Sequence, residues 1–245
     1  MIRLGYSIGD PNPKFTLKER IKILLSVESH GIELGFTRSD RLNESLDDED
    51  VRNIKRFNHI SIHAPVVSSV DPSTGDKVWI RYPSNEADSI IDKVLEIAYR
   101  TNANIILFHP DLIDDFDWIN DKVDNLLAFE NMDVKKPFGS TVGDLERVFL
   151  KSPQARWVCD VNHLYTVDHS MKLTEEFHQA FGDRLSYYHL SGYGGFHDCF
   201  YVSGEDIIMN GLKDFTKSII HEGMALRDGK ISLQKENEYI LEYLK

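Results

Sequence analysis

Histidine and carboxylate side chains recur at the carboxyl ends of short apolar runs in this sequence. The runs "HISIH", "IILFH", "LLAFE", "WVCD" and "LSYYH" end at His63, His109, Glu130, Asp160 and His189. Imidazole and carboxylate groups together suit Zn²⁺, Mn²⁺ or Fe²⁺, without choosing among these ions. If the runs are neighbouring strands, desolvating five such groups in one mouth is costly unless divalent cations neutralise them. The pattern therefore predicts a divalent metal site.

A sixth candidate stands at the end of "CDVNH". His163 lies three residues after Asp160, where the chain leaves the predicted strand. We interpret Asp160 as a metal ligand and His163 as a ligand of a neighbouring ion. One histidine at one strand end is more often a hydrogen-bonded residue than a ligand. The prediction therefore depends on several such residues at equivalent positions.

Strands must position these side chains, and short apolar, β-branched or aromatic runs indicate eight of them. They are predicted at residues 2–8, 32–37, 59–65, 104–110, 125–131, 156–161, 185–191 and 230–236. Side chains alternate along a strand, so His59, Ser61 and His63 share one face. By the same alternation, Asp160 shares a face with Val158. The ligand candidates are therefore expected to point to the same side of the sheet.

Amphipathic stretches between the strands predict helices. The first begins at a Thr16 cap and ends at Gly31, and the second begins at Ser84. Further helical patterns lie at 141–152, 173–183, near 205–222 and at 237–245. Repeated strand–helix units without a Pro-, Gly- or Ser-rich linker predict one α/β domain over residues 1–245, a single (β/α)8 TIM barrel, with a doubly wound sheet as the alternative. In a barrel, the carboxyl ends of the strands form the active-site face.

The composition is that of a globular protein, with 245 residues, 41% of them apolar, and a net charge of −12. This charge works against broad attraction to nucleic acid or anionic membranes, although a local basic groove or bound cations could reverse the bias. Two cysteines, Cys159 and Cys199, do not indicate a disulfide framework. The first residues lack a signal-peptide pattern and no stretch approaches membrane-spanning length. We therefore expect a cytoplasmic protein without a membrane partner, of undetermined oligomeric state.

Five short motifs at the predicted strand ends resemble those of the xylose isomerase-like TIM-barrel superfamily, particularly its endonuclease IV-like branch (AP endonuclease family 2). They are "SIHAP" at 61–65, "FHP" at 108–110, "FEN" at 129–131, "CDVNH" at 159–163 and "YHLSG" at 188–192. The resemblance runs from the first strand to the last helix. The ordered set is typical of the superfamily more than of one activity within it.

The resemblance implies one to three divalent ions, with Zn²⁺ or Mn²⁺ as the expected metal. In an endonuclease IV-like centre, His63, His109 and Glu130 would hold the first ion. Glu130 would bridge to a second ion, which Asp160 and His189 would also hold. Ions a few ångströms apart can activate water and bind a phosphate. The resemblance therefore implies hydrolysis of a phosphoester or phosphodiester.

A third ion of the same branch would be held by His163 and an Asp-x-His pair. Counting back from the turn at residues 204–206, Asp198 falls on the Asp position, but Phe200 occupies the position of the second histidine. His197, next to Asp198, is the substitute ligand that we consider. The third ion is thus the one that this sequence supports least.

The last strand of the superfamily usually supplies a glutamate. In the predicted strand 230–236, Gln234 is the best match, and its amide is a poorer, neutral ligand. Glu236, two residues on and on the same face, is the alternative, and with Glu130 it is a candidate catalytic carboxylate. In an isomerase, Glu33 or Glu236 could serve as the proton shuttle.

A long segment after the third predicted strand is expected to contact the substrate. Its cationic and aromatic side chains could bind one phosphate and stack on a sugar or base. These candidates are Lys77, Trp79, Arg81 and Tyr82. An ordered surface flap with Trp79 beneath it is the alternative.

Three functions remain open, and we favour metal-dependent hydrolysis because a one-metal isomerase does not need His63, His109 and His163. The acidic segment 111–124 lies where a DNA backbone would pass, so nucleic acid is disfavoured and a small phosphorylated or sugar-like substrate is expected. A sugar or sugar-phosphate isomerase or epimerase with one metal is the second function. A barrel that binds a metal or ligand without turnover is the third.

Overall fold

Eight parallel strands form a closed barrel in the computed structural model, which describes residues 2–9, 14–71, 73–194 and 197–245. In chain order the strands are β1 (Leu4–Ser7), β2 (Gly31–Gly35), β3 (His59–His63), β4 (Val67–Val70), β5 (Lys77–Trp79), β6 (Ile105–Phe108), β7 (Leu127–Glu130), β8 (Arg156–Asp160), β9 (Leu185–Leu190) and β10 (Ser218–His221). β4 and β5 pair as a separate antiparallel hairpin. The other eight follow one another around the barrel, and β10 pairs with β1. The predicted (β/α)8 fold is confirmed.

Helices surround the barrel between the strands. They are α1 (Leu17–Ser26), α2 (Asp48–Ile54), α3 (Ala87–Thr101), α4 (Phe116–Val123), α5 (Val142–Lys151), α6 (Val161–Val167), α7 (Leu173–Phe181), α8 (Phe200–Ser203) and α9 (Lys230–Tyr243). The predicted Thr16 cap of α1 is confirmed, and Thr16 and Glu19 form a capping box. No helix of the described residues is both long enough and apolar enough to cross a membrane.

Side-chain alternation along the strands separates two apolar cores. The barrel interior contains Ile105, Leu107, Ala128, Val158, Tyr187 and Ile220. Trp157 and Cys159, the neighbours of Val158, belong instead to the larger core that includes the residues of the surrounding helices. The predicted inward direction of Val158, and with it Asp160, is therefore confirmed. Because the barrel interior is small and apolar, the inward-pointing polar side chains lie at the ends of the strands.

The eighth strand lies earlier in the sequence than predicted. Residues 230–236 belong to α9, and β10 closes the barrel instead. The predicted helix near 205–222 is wrong for the same reason, because it contains a 3₁₀ helix at Asp206–Gly211 followed by β10. β10 is no shorter than β6 and β7, but "KISLQKE" alternates as a strand would and competes with it for the eighth position. The wrong assignment followed from this local alternation.

Candidate metal centre

Three strand ends bring His63, His109 and Glu130 together, and we call them the first ligand group. His63 Nε2 lies 3.1 Å from His109 Nε2, which lies 3.3 Å from Glu130 Oε2. His63 Nδ1 lies 2.9 Å from the backbone carbonyl oxygen of Ala64. Because a carbonyl only accepts, the Nδ1 of His63 donates, and in the neutral imidazole Nε2 keeps a lone pair that can bind a cation. The first ligand group is thus oriented for a cation.

A second ligand group consists of Glu130, Asp160, His189 and Glu222. Each offers one atom within 4.8 Å of the others. His189 Nδ1 lies 2.6 Å from Glu130 Oε1 and 3.4 Å from Glu222 Oε2. Glu130 belongs to both ligand groups, so its carboxylate lies between two candidate metal positions.

One carboxylate oxygen of Asp160 is available for a ligand. Asp160 Oδ1 caps α6 by accepting from the backbone N–H of His163 over 2.8 Å. Asp160 Oδ2 is buried and has no hydrogen-bond partner among the described residues. His163 Nδ1 lies 3.6 Å from this oxygen, too far for a hydrogen bond. A buried charged oxygen without a hydrogen bond costs free energy, and a divalent cation would satisfy it. The residues of the second ligand group therefore fit a metal ion.

Charge crowding in the centre favours a cation as well. Burial raises the pKa of Asp160 to about 6; His163 opposes this shift, and the charges of Glu130 and Glu222 add to it. Burial also raises the pKa of Glu222. Burial lowers the pKa of His109 to about 4, so its imidazole is neutral at pH 7 and has a lone pair to offer. Positive charge at this point would relieve the repulsion among the three carboxylates.

The ligands predicted for a third ion are brought together in part. The rings of His163 and His197 lie 5.9 Å apart, measured between centroids. His197 Nδ1 is 2.8 Å from Ser191 Oγ. Asp198 pairs instead with Arg227, and 3.1 Å separates its carboxylate from the guanidinium. Within the ranges that the structure describes, this corner holds a histidine pair rather than a third ligand group.

The position of the eighth strand changes which acids reach the centre. Gln234 is exposed on α9, and the structure does not bring it to either ligand group. Glu236 is buried on the same helix and lies 2.7 Å from His221 Nε2, outside both groups. Glu222, which sequence reasoning missed, takes the place expected of a last-strand glutamate. Its signal in the sequence is an acid directly after the apolar run that ends in "SIIH", the same pattern that marks the other strand ends.

A cavity of about 460 Å³ is lined by members of both ligand groups. Two of the predicted substrate-binding residues, Lys77 and Trp79, form part of its wall from the β4–β5 hairpin. Lys136, which the sequence did not single out, also lines the cavity, and its ammonium lies 4.0 Å from the centroid of the Trp79 ring. The cavity therefore combines candidate metal ligands with cations and one large aromatic side chain.

Arg81 and Tyr82 have other partners. The guanidinium of Arg81 pairs with the carboxylate of Asp114. Tyr82 is buried, and its hydroxyl donates to the backbone carbonyl of Pro65 over 2.8 Å. Neither residue lines the cavity. Of the four residues predicted for substrate contact, the structure brings the hairpin pair to the site.

Comparison with known proteins relates this chain to solved structures alone, since no family model and no curated protein matches it. Endonuclease IV from Thermus thermophilus superposes with a TM-score of 0.69 at 12% identity, over 98% of this chain and 99% of that one. A xylose isomerase domain-containing protein from Salmonella typhimurium gives 0.61 at 13%, over 100% and 98%. The 3-keto-D-glucoside 4-epimerase from E. coli gives 0.57 at 13%, over 97% and 100%. The chain therefore shares the (β/α)8-barrel fold of these proteins.

Proposed function

We propose that this protein is a divalent-metal-dependent hydrolase of a small phosphoester or phosphodiester. The observation that carries the proposal is that Glu130 belongs to both ligand groups, which places two candidate metal positions side by side. Adjacent divalent ions lower the pKa of water and neutralise the charge that develops on a phosphoryl group. The similar fold of endonuclease IV adds support for this reaction class.

The histidine pair next to the ligand groups would contact the phosphate or its leaving group. His163 and His197 both line the cavity. His163 Nδ1 lies 2.9 Å from the backbone carbonyl oxygen of Asn131 and donates to it, which leaves the other ring nitrogen for a ligand. We infer that this pair serves the substrate, because the carboxylate that would complete a third metal set pairs with Arg227.

The cavity fits a small substrate. Its volume of about 460 Å³ lies within the ~300–1,000 Å³ that is usual for small-molecule sites. Lys77 would bind an anionic group, and Lys136, whose ammonium lies 3.4 Å from the Asp111 carboxylate, would assist it. Trp79 offers a face for stacking. The acidic segment 111–124 disfavours a nucleic acid backbone at this face.

Replacing His63 tests the choice of reaction. We expect His63→Ala to lower phosphoester hydrolysis by about 10²-fold or more, because the first ligand group loses a ligand while the second stays complete. Metal analysis should show one ion lost. His30→Ala, at the other end of the barrel before β2, is the matched control and should retain full activity. Assays on phosphomonoesters, phosphodiesters and abasic DNA would identify the substrate, and full activity of His63→Ala would contradict the proposal.

A one-metal sugar or sugar-phosphate isomerase or epimerase is the second candidate. It is favoured by one observation: the second ligand group is complete without His63 and His109. In that reaction one ion polarises a carbonyl or hydroxyl while side chains move a proton. The same His63→Ala variant separates the two functions, because an isomerase should keep its activity on sugar phosphates.

Trp79 tests the predicted role of the hairpin in substrate binding. We expect Trp79→Ala to raise KM by about fivefold with little change in kcat, because a stacking contact contributes about 1 kcal/mol to binding. Tyr99→Ala, which removes an aromatic side chain that is 72% exposed on α3, is the control. An unchanged KM would assign Trp79 to the alternative, a surface flap.

A further inference from the structure

The His189 imidazole lies between two buried carboxylates. Its Nδ1 is 2.6 Å from Glu130 Oε1, and its Nε2 is 3.0 Å from Glu33 Oε2. Both His189 and Glu33 are fully buried. Glu33 comes from β2, on the side of the ring opposite Glu130, and it does not line the cavity.

The position of Glu33 separates it from the substrate. A proton shuttle must reach a reacting atom directly or through one water molecule. Glu33 contacts His189, Tyr187 and Ser61 instead, with Oε2 accepting from the Tyr187 hydroxyl over 2.7 Å and from the Ser61 hydroxyl over 3.1 Å. The proton-shuttle role predicted for Glu33 therefore has no geometric support.

We propose that Glu33 is a positioning residue that orients His189 as a metal ligand. When an ion binds, the imidazole is neutral and carries one N–H; the Glu33 carboxylate keeps that proton on Nε2, which leaves the Nδ1 lone pair for the ion that Glu130 and Glu222 would also hold. The negative charge of Glu33 also makes the imidazole a stronger donor to a cation. The inference rests on the metal centre of the proposed function and adds the residue that sets its affinity.

Glu33 differs from the groups that orient the other histidines of the centre. His63 donates from Nδ1 to the backbone carbonyl of Ala64, which is neutral, and His109 Nδ1 has no hydrogen-bond partner among the described residues. Among the histidines of the two ligand groups, His189 is thus the one whose outer ring nitrogen faces a charged acceptor, the carboxylate of Glu33. Two hydroxyl donors hold the Glu33 carboxylate in place, which is the arrangement required for a fixed orientation of the ring.

The test is the Zn²⁺ affinity of Glu33→Gln, measured by competition with a chromophoric chelator. We expect the affinity to fall by about 10- to 100-fold, the usual effect of removing such a partner. Glu146→Gln, the same substitution at an exposed position of α5, is the matched control and should leave the affinity unchanged. Because Glu33 acts through His189, the Glu33→Gln effect should vanish in a His189→Asn background.

Three outcomes are distinguishable. Wild-type affinity in a folded Glu33→Gln variant would overturn the positioning role and leave the proposed function standing. A weakened affinity in Glu33→Gln, combined with a wild-type protein that hydrolyses no phosphoester, would support the positioning role and contradict the proposed function. If Glu33→Gln does not fold, Glu33→Asp and the Co²⁺ absorption spectrum give the same comparison: a spectrum identical to that of the wild type would overturn the role.

Discussion

The Glu130→Gln variant is expected to lose both metal ions together and to lower phosphoester hydrolysis by at least about 10³-fold. The reason is geometric, since Glu130 Oε1 lies 2.6 Å from His189 and Oε2 lies 3.3 Å from His109. One neutral amide in that place removes a charged ligand from both groups. Elemental analysis of the purified variant gives the number of ions per chain.

Glu146→Gln is the matched control for this change. Glu146 is exposed on α5, so the same substitution alters net charge equally without touching the centre. Metal content and activity should stay at the wild-type level. Retention of one tightly bound ion in Glu130→Gln would mean that the two ligand groups bind their ions independently. This result would contradict the claim that Glu130 holds both ions.

Glu236→Ala is expected to lower the free energy of unfolding by about 3–5 kcal/mol, because it leaves buried partners of a charged group unpaired. Glu236 Oε1 accepts from the backbone N–H of Phe200 over 2.9 Å and lies 2.7 Å from His221 Nε2. Its Oε2 lies 3.3 Å from the backbone nitrogen of Tyr201. Glu236 therefore joins α9 to β10 and to the start of α8. Urea unfolding followed by circular dichroism measures the change.

Gln234→Ala, on the exposed side of the same helix, should change stability by less than about 0.5 kcal/mol. Both variants should keep the metal content of the wild type, because neither residue belongs to a ligand group. A Glu236→Ala protein that is as stable as the wild type but inactive would restore the catalytic role first considered for this residue.

Most of the strand ends could be predicted from the sequence, because the alternation of side chains along a strand can be read from a short segment alone. The runs that end at His63 and Asp160 alternate over five residues, and this fixed which side chains point inward. Their position at the carboxyl end of a barrel strand then followed from the architecture. The convergence of five candidate ligand side chains at one end of the barrel could therefore be predicted from the sequence.

The remaining contacts depend on the register between distant strands, which local patterns do not contain. Glu222 follows β10, and the alternating segment "KISLQKE" competes with that run as the eighth strand. Glu33 and His189 are 156 positions apart in sequence, and their contact arises when the barrel closes. Asp198 matched a family pattern, yet its pairing with Arg227 depends on how two loops meet.

The most direct measurement is the metal content of the wild-type protein, purified without chelators and without a metal-affinity tag. Elemental analysis should find two divalent ions per chain, one for each ligand group that shares Glu130. A single ion that is retained in His63→Ala would contradict the two-ion centre and favour the isomerase. The absence of bound metal, even after reconstitution with Zn²⁺ or Mn²⁺, would contradict the metal centre itself.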